Sequence, residues 1–228
     1  TVTVRDEQDG TVNIADIVDY DNDDNAADML FVATASPAST TIESGVELHI
    51  WTLDTFDPNG TITTNVTGGD FHVSTSSVAY IDTGDSDIGR DVLVDTGATL
   101  NIDADTVVRG GDATTSGTGI IANTAGTPTL ILHGTGQIGG GTGFITIYDL
   151  VIGNATATAV TTLSSSATST TDIAVGTGST FNVNSNLFID GGDLTTAGTG
   201  IINYASGAPT VDIDNTGTLG GGTGGITF

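Results

Sequence analysis

The feature that most constrains this 228-residue chain is an internal duplication. Asp91–Ile147 lies on Asp172–Phe228 without a gap, and 28 of the 57 positions are identical. Gly110-Gly111-Asp112 meets Gly191-Gly192-Asp193, and Gly117-Thr118-Gly119-Ile120-Ile121 meets Gly198-Thr199-Gly200-Ile201-Ile202. Gly139 to Gly143 meets Gly220 to Gly224. A weaker correspondence relates Ser44–Ile50 to Thr96–Ile102, and residues 1–40 match neither copy. A repeat of this length restricts the fold to units that stack or follow one another. The expected organisation is an N-terminal β region over 1–65, a first repeat over 66–147 and a second over 148–228.

Within the repeat the apolar pattern has period two. Leu100 and Ile102 alternate with polar residues, as do their copies Phe181 and Val183, and likewise Leu187 with Ile189 and Leu130 with Leu132. That is how half-buried strands read. Between them stand Gly-, Thr- and Asp-rich corners. Glycine supplies positive φ there, and Asp or Asn bonds its own backbone. The fold class is therefore all-β: a β-solenoid or elongated β-rod. Coils of roughly 20–27 residues would divide the 81-residue period into three or four. Tandem β-sandwich domains are the alternative. One short helical turn is expected over Asn13–Tyr20.

Composition removes several functions. The net charge is -25, with no Lys and only Arg5, Arg90 and Arg109 as cations. Nucleic-acid binding by phosphate neutralisation is excluded, and anionic lipid would repel the chain. There is no Cys, so neither a disulfide nor a thiolate metal site exists. No apolar run approaches the roughly 18 residues of a membrane span, so the chain is not expected to be membrane-embedded through a helix.

The blocks Ser44-Gly-Val-Glu-Leu-His-Ile50 and Thr96-Gly-Ala-Thr-Leu-Asn-Ile102, with Phe144–Ile152, carry a resemblance. They resemble the repeats of secreted microbial surface proteins, the filamentous-haemagglutinin-like and other β-helical adhesins and extracellular filament subunits. It covers about residues 42–228, and it implies an extracellular or cell-surface, elongated, non-enzymatic protein.

Asp19-Tyr-Asp21-Asn-Asp23-Asp24-Asn25-Ala-Ala-Asp28 is the sharpest chemical feature. Oxygen-bearing side chains on one short loop build a cage for Ca²⁺, and Asp19, Asp21, Asp23, Asp24, Asn25 and Asp28 are the candidate ligands. It departs from an EF-hand at Asp24, where glycine is expected, and at Leu30, where a bidentate Glu should stand. Asp82, Asp85 and Asp87 form a second candidate. Asn65-Val-Thr67 and Asn154-Ala-Thr156 are glycosylation sequons. Arg109 near Asp103, Asp105 and Asp112 reads as a local ion pair. Gly134-Thr-Gly136-Gln-Ile-Gly139 spells a dinucleotide fingerprint, but no helix is expected behind it to hold a phosphate. His49, His72 and His133 are isolated and read as packing or surface residues. Carboxylates abound without forming a catalytic constellation, so no enzymatic activity is expected.

The expected function is a structural subunit of an extracellular filament, self-assembling head-to-tail by strand pairing between like molecules. Val2 and Val4 lie on an alternating N-terminal segment, and Ile226 and Phe228 on a strand that runs on to Ile152 in the first copy. The chain is expected either to continue in a longer protein or to have that strand completed by another chain. A surface adhesin or surface-layer module that meets other surface proteins or glycans, and a viral fibre or tailspike acting on polysaccharide, are the alternatives.

Overall fold

A computed structural model describes residues 70–227 apart from Ala205 and Asn215. Before them it describes the strands Thr11–Ile14, Leu30–Val32, Ala38–Ile42, Leu48–Ile50, Thr55–Asp57 and Gly60–Thr64. Among these residues every regular element is a strand. The strands fall into three sheets of 10, 9 and 9, and all paired neighbours run parallel. Each strand inside a sheet pairs with strands one coil earlier and one coil later, which defines a β-solenoid. Residues 70–227 make about seven turns of it. The sandwich alternative falls, because a sandwich needs antiparallel sheets.

A coil visits the faces in fixed order. From Phe71–Val73 on the third face the chain passes to Val78–Ile81 on the second. It continues to Ser86–Ile88 on the first and returns to the third at Val92–Val94. The coils differ in length: Ser86 stands beside Thr106, whereas Ala113 must reach further along the chain to stand beside Ile138. Strands on either side of the boundaries at 65/66 and 147/148 belong to the same sheets.

Three-residue strands explain the period-two signal. In most of them the first and third side chains point inward, as in Phe71, Val73, Val92, Val94, Leu187 and Ile189, all at most 1% exposed. The middle residue then faces out; in Ile120–Ala122 and Ile201–Asn203 the phase is reversed and Ile121 and Ile202 point inward. Among the described residues thirty-four buried hydrophobic side chains form one continuous core along the axis. Phe56 and Phe71 meet within it, ring centroids 6.0 Å apart and tilted by 57°. β-branched residues suit both sides of such strands.

The Gly-rich motifs are where coils rest on each other. The loop at Gly141–Gly143 sits on the loop at Gly117–Gly119. The Thr142 N–H and hydroxyl both donate to the Gly117 carbonyl, at 2.5 and 3.0 Å. In the second copy Thr223 donates to Gly198 in the same way, at 2.6 and 2.9 Å. Corners at Gly97 (φ +73°) and its copy Gly178 (φ +75°) need the left-handed backbone that glycine adopts without strain.

One expected element changes. The short helical turn over Asn13–Tyr20 is replaced at its start by the strand Thr11–Ile14, which pairs Asn13 with Thr41 and Ile14 with Ile42. Val12 and Ile14 alternate with polar neighbours, so pairing to the next coil outweighs a weak helical preference. The rest of that segment lies outside the described residues.

Candidate functional site

The side chains with chemistry to offer are arranged in columns along the axis. At the corner entering the third face, Asp91 Oδ1 accepts from the Asp112 N–H at 3.3 Å, and Asp70 Oδ1 accepts from the Asp91 N–H at 3.2 Å. Asp112 Oδ1 in turn accepts from the Gln137 N–H at 2.7 Å. A second column repeats this at the corner entering the first face. There Asp149 accepts from the Asp172 N–H at 3.0 Å, Asp172 from the Asp193 N–H at 2.7 Å, and Asp193 from the Thr218 N–H at 2.6 Å. Each carboxylate thus caps a backbone donor of the next coil, so a corner N–H that has left the sheet keeps a partner. The even spacing of Asp70, Asp91 and Asp112 was the sequence signal for this column.

Stacking like charges has a cost. Burial, then repulsion from Asp112 and Asp70, pushes the Asp91 carboxyl above its ordinary value, against the opposing pull of the Asp112 N–H and Arg90. Arg90 itself sits 3.3 Å from Asp70. A carboxyl raised in the fold stabilises it through its neutral form. That contribution is full below the unfolded value near 3.8 and is lost as pH rises through the folded value. Asp91→Asn keeps the acceptor oxygen and removes the charge. It should raise the melting temperature at pH 7 by about 1–3 °C, with the gain fading as pH falls through the folded value and gone by the unfolded value near 3.8. Thermal melts at both pH values check this, and a lower melting temperature at pH 7 would contradict it.

Arg109 does form an ion pair, but its partner differs from the expected one. Its Nε and Nη2 donate to Asp87 Oδ1 and Oδ2 at 2.6 and 2.5 Å, one coil back along the axis. Asp87 raises the Arg109 pKa further above its usual value, with burial opposing. Asp103 and Asp105 are instead turned to the following coil. Asp103 Oδ1 accepts from the Thr124 and Ala125 N–H groups at 2.6 and 2.9 Å, and Asp105 from the Thr129 N–H at 2.7 Å. Their copies Asn184 and Asn186 accept from Ser206 and Thr210 at 3.2 and 2.9 Å. The duplication therefore exchanges Asp for Asn because the fold needs an acceptor oxygen there, whatever its charge.

The histidines are placed differently from one another. His72 Nε2 lies 3.0 Å from Asp95 Oδ2, and Ser116 donates to Asp95 Oδ1 at 3.3 Å. His49 stands in strand register with His72. His133 is 7% exposed, and its Nε2 has no hydrogen-bond partner. Burial lowers its pKa, helped by Arg109 and opposed by Asp87.

Of the metal candidates, Asp19–Asp28 lies outside the described residues. At the second, Asp87 is held by Arg109. Among the described residues no group of three or more His, Cys, Asp or Glu is placed to hold a metal. Asn65, Val2, Val4 and Phe228 lie outside the described residues. Asn154 Oδ1 accepts from the Thr156 N–H and hydroxyl and from the Ala157 N–H, at 2.9, 2.7 and 3.1 Å. Ile226 lies in strand Ile226–Thr227, in register with Ile202 of its own chain. The fingerprint Gly134–Gly139 is a strand of the third face, with no helix N-terminus behind it. Asp190, Asp212 and Asp214 line an open depression with Thr168, Phe188 and Ile189. Comparison of the chain with protein-family models, with curated proteins and with solved structures finds no match to any of them.

Proposed function

We propose that the chain is a structural rod: a non-enzymatic segment of an extracellular filament in which like molecules stack end to end and continue the strand pairing. The three parallel sheets support this reading, since a further coil can be added to them in only one polarity. So does the use of the polar side chains. The Asp and Asn columns are engaged in holding one coil to the next, which is a mechanical task.

The observation that carries the reading is the unbroken parallel register of the three sheets from coil to coil, which continues into the last described coil. Val211, Leu219 and Ile226 stand in register with Leu187, Leu194 and Ile202, which are 1%, 0% and 0% exposed. Leu219 itself is 47% exposed, and Val211 and Ile226 are only half-buried. Each of the three sheets thus hands its register from one coil to the next as far as the described residues reach. A coil of another copy could extend the same parallel ladder.

Electron microscopy and sedimentation test it directly. The chain should form linear, concentration-dependent assemblies. Leu219→Asp should leave monomers with an unchanged melting temperature, because that side chain already meets solvent. A parent chain that stays monomeric at its highest soluble concentration would sink the filament reading.

A further inference from the structure

The duplication does not span a whole number of coils. Val92–Val94 on the third face has its copy, Ile173–Val175, on the first. Thr99–Ile102 on the second becomes Thr180–Val183 on the third, and Thr106–Val108 on the first becomes Leu187–Ile189 on the second. Eleven strands separate each pair, which is three coils and two further strands. Every element of the second copy has moved one face round the rod.

The contacts move with it intact. Gln137 N–H to Asp112 (2.7 Å) recurs as Thr218 N–H to Asp193 (2.6 Å). Gly141 N–H to the Thr115 hydroxyl (3.2 Å) recurs as Gly222 N–H to Thr196 (3.1 Å). Thr129 N–H to Asp105 recurs as Thr210 N–H to Asn186. All of these bonds run to the adjacent coil. A strand in such a stack is held by what lies directly before and after it on its own face. Which face that is leaves no mark on the bonding.

We infer that the three faces are equivalent environments, and that the chain lengthens by single strand-and-corner units rather than by whole coils. Evenly spaced strand starts at Val92, Thr99, Thr106, Ala113 and Ile120 show the unit undisturbed. The consequence concerns display. Each further copy turns the same outer surface by a third of a turn, so three copies present it on every side of the rod. The outward-facing column Thr99–Ile120–Phe144 on the second face already has its counterpart, Thr180–Ile201–Gly225, on the third. Ile120 and Ile201 are 37% and 40% exposed, alike on both.

The test is a deletion that is illegitimate if faces differ. Removing residues 91–171 joins Arg90 to Asp172 and places Ile173–Val175 beside Phe71–Val73, where Val92–Val94 stood. Removal of one coil, residues 92–112, is the in-phase control. The chain has no cysteine, so His72→Cys with Ala174→Cys reports the new register. In the full chain His72 is in register with Leu93, and Ala174 with Val151 and Thr195. The expected result is a folded, cooperatively melting deletion variant whose cysteines couple within one molecule. The same pair should remain reduced in the full chain, and His72→Cys with Leu93→Cys should couple there. An out-of-phase variant that fails to fold while the in-phase one folds overturns the inference. So does a folded variant whose cysteines stay apart. A complementary variant repeats residues 91–171 once more after Thr171. Its inserted amides should exchange with solvent as slowly as those of the parent copy, and an unprotected insert overturns the inference equally.

Discussion

Gly143→Ala should disrupt the stack, costing more than about 3 kcal/mol, at the severe end of overpacking. A Cβ at this position is driven into the carbonyl oxygen of Gly119 on the preceding coil, with the backbone of Thr118 close behind. These neighbours are backbone, so no side chain can swing aside, and the loop would have to lift from its partner. Lifting it also breaks the bonds from Thr142 and Gly143 to the Gly117 carbonyl. The backbone at Gly143 is not left-handed, so the loss comes from space and not from conformation. Gly224 meets Gly200 in the same way, which is why the glycine run survives in both copies. Gly225 supplies the control, with nothing within 4 Å of its Cβ position, and Gly225→Ala should stay within about 0.5 kcal/mol. Urea melts of the two variants check the pair. A Gly143→Ala protein as stable as the parent would mean that the loops do not stack as described.

How much of this was legible beforehand depended on whether a feature needs only its own segment. Alternation at Leu100 and Ile102, or at Leu187 and Ile189, is a property of one strand, and it reported the inward faces correctly. The identity between the two copies reported stacking units. What the sequence hid was the distance from a residue to its neighbour on the next coil. That distance changes with corner length, being shorter from Ser86 to Thr106 than from Ala113 to Ile138. Arg109 was therefore given sequence neighbours as partners, when its carboxylate lies one coil back at Asp87. Asp82, Asp85 and Asp87 read as one oxygen cluster for the same reason, although Asp87 faces out of its strand towards Arg109. The Asp70–Asp91–Asp112 column was missed although its regular spacing stood in the chain. A search at coil period would have found it.

The acidity follows from the same geometry. The corner columns use a carboxylate or amide oxygen on successive coils, so a long solenoid accumulates acids in proportion to its length. Only 14% of the residues are charged, yet almost all the charge has one sign. In the proposed filament a net charge of -25 would hold neighbouring rods apart in low salt, while end-to-end stacking would bury mainly apolar residues and backbone edges. Added salt should thus favour lateral contact more than axial contact.

Leu100→Ala and Phe181→Ala should cost about 2–5 and 3–5 kcal/mol. The two positions are copies of each other in the duplication, and both side chains are fully buried, one on the second face and one on the third. Coils above and below fix the backbone on either side, so the cavity has little freedom to collapse. The effect should also be local. In a stack whose coils contact only their neighbours, a weakened coil separates the two parts it joins. Hydrogen exchange should then quicken first around the strands from Val78 to Ala122 in Leu100→Ala and from Ala159 to Asn203 in Phe181→Ala. Val211→Ala, at a half-buried core position in the last described coil, should cost under about 1 kcal/mol and leave exchange in the centre unchanged. If both buried substitutions instead speed exchange uniformly along the chain, the solenoid unfolds as one unit and nearest-neighbour stacking is the wrong account of its stability.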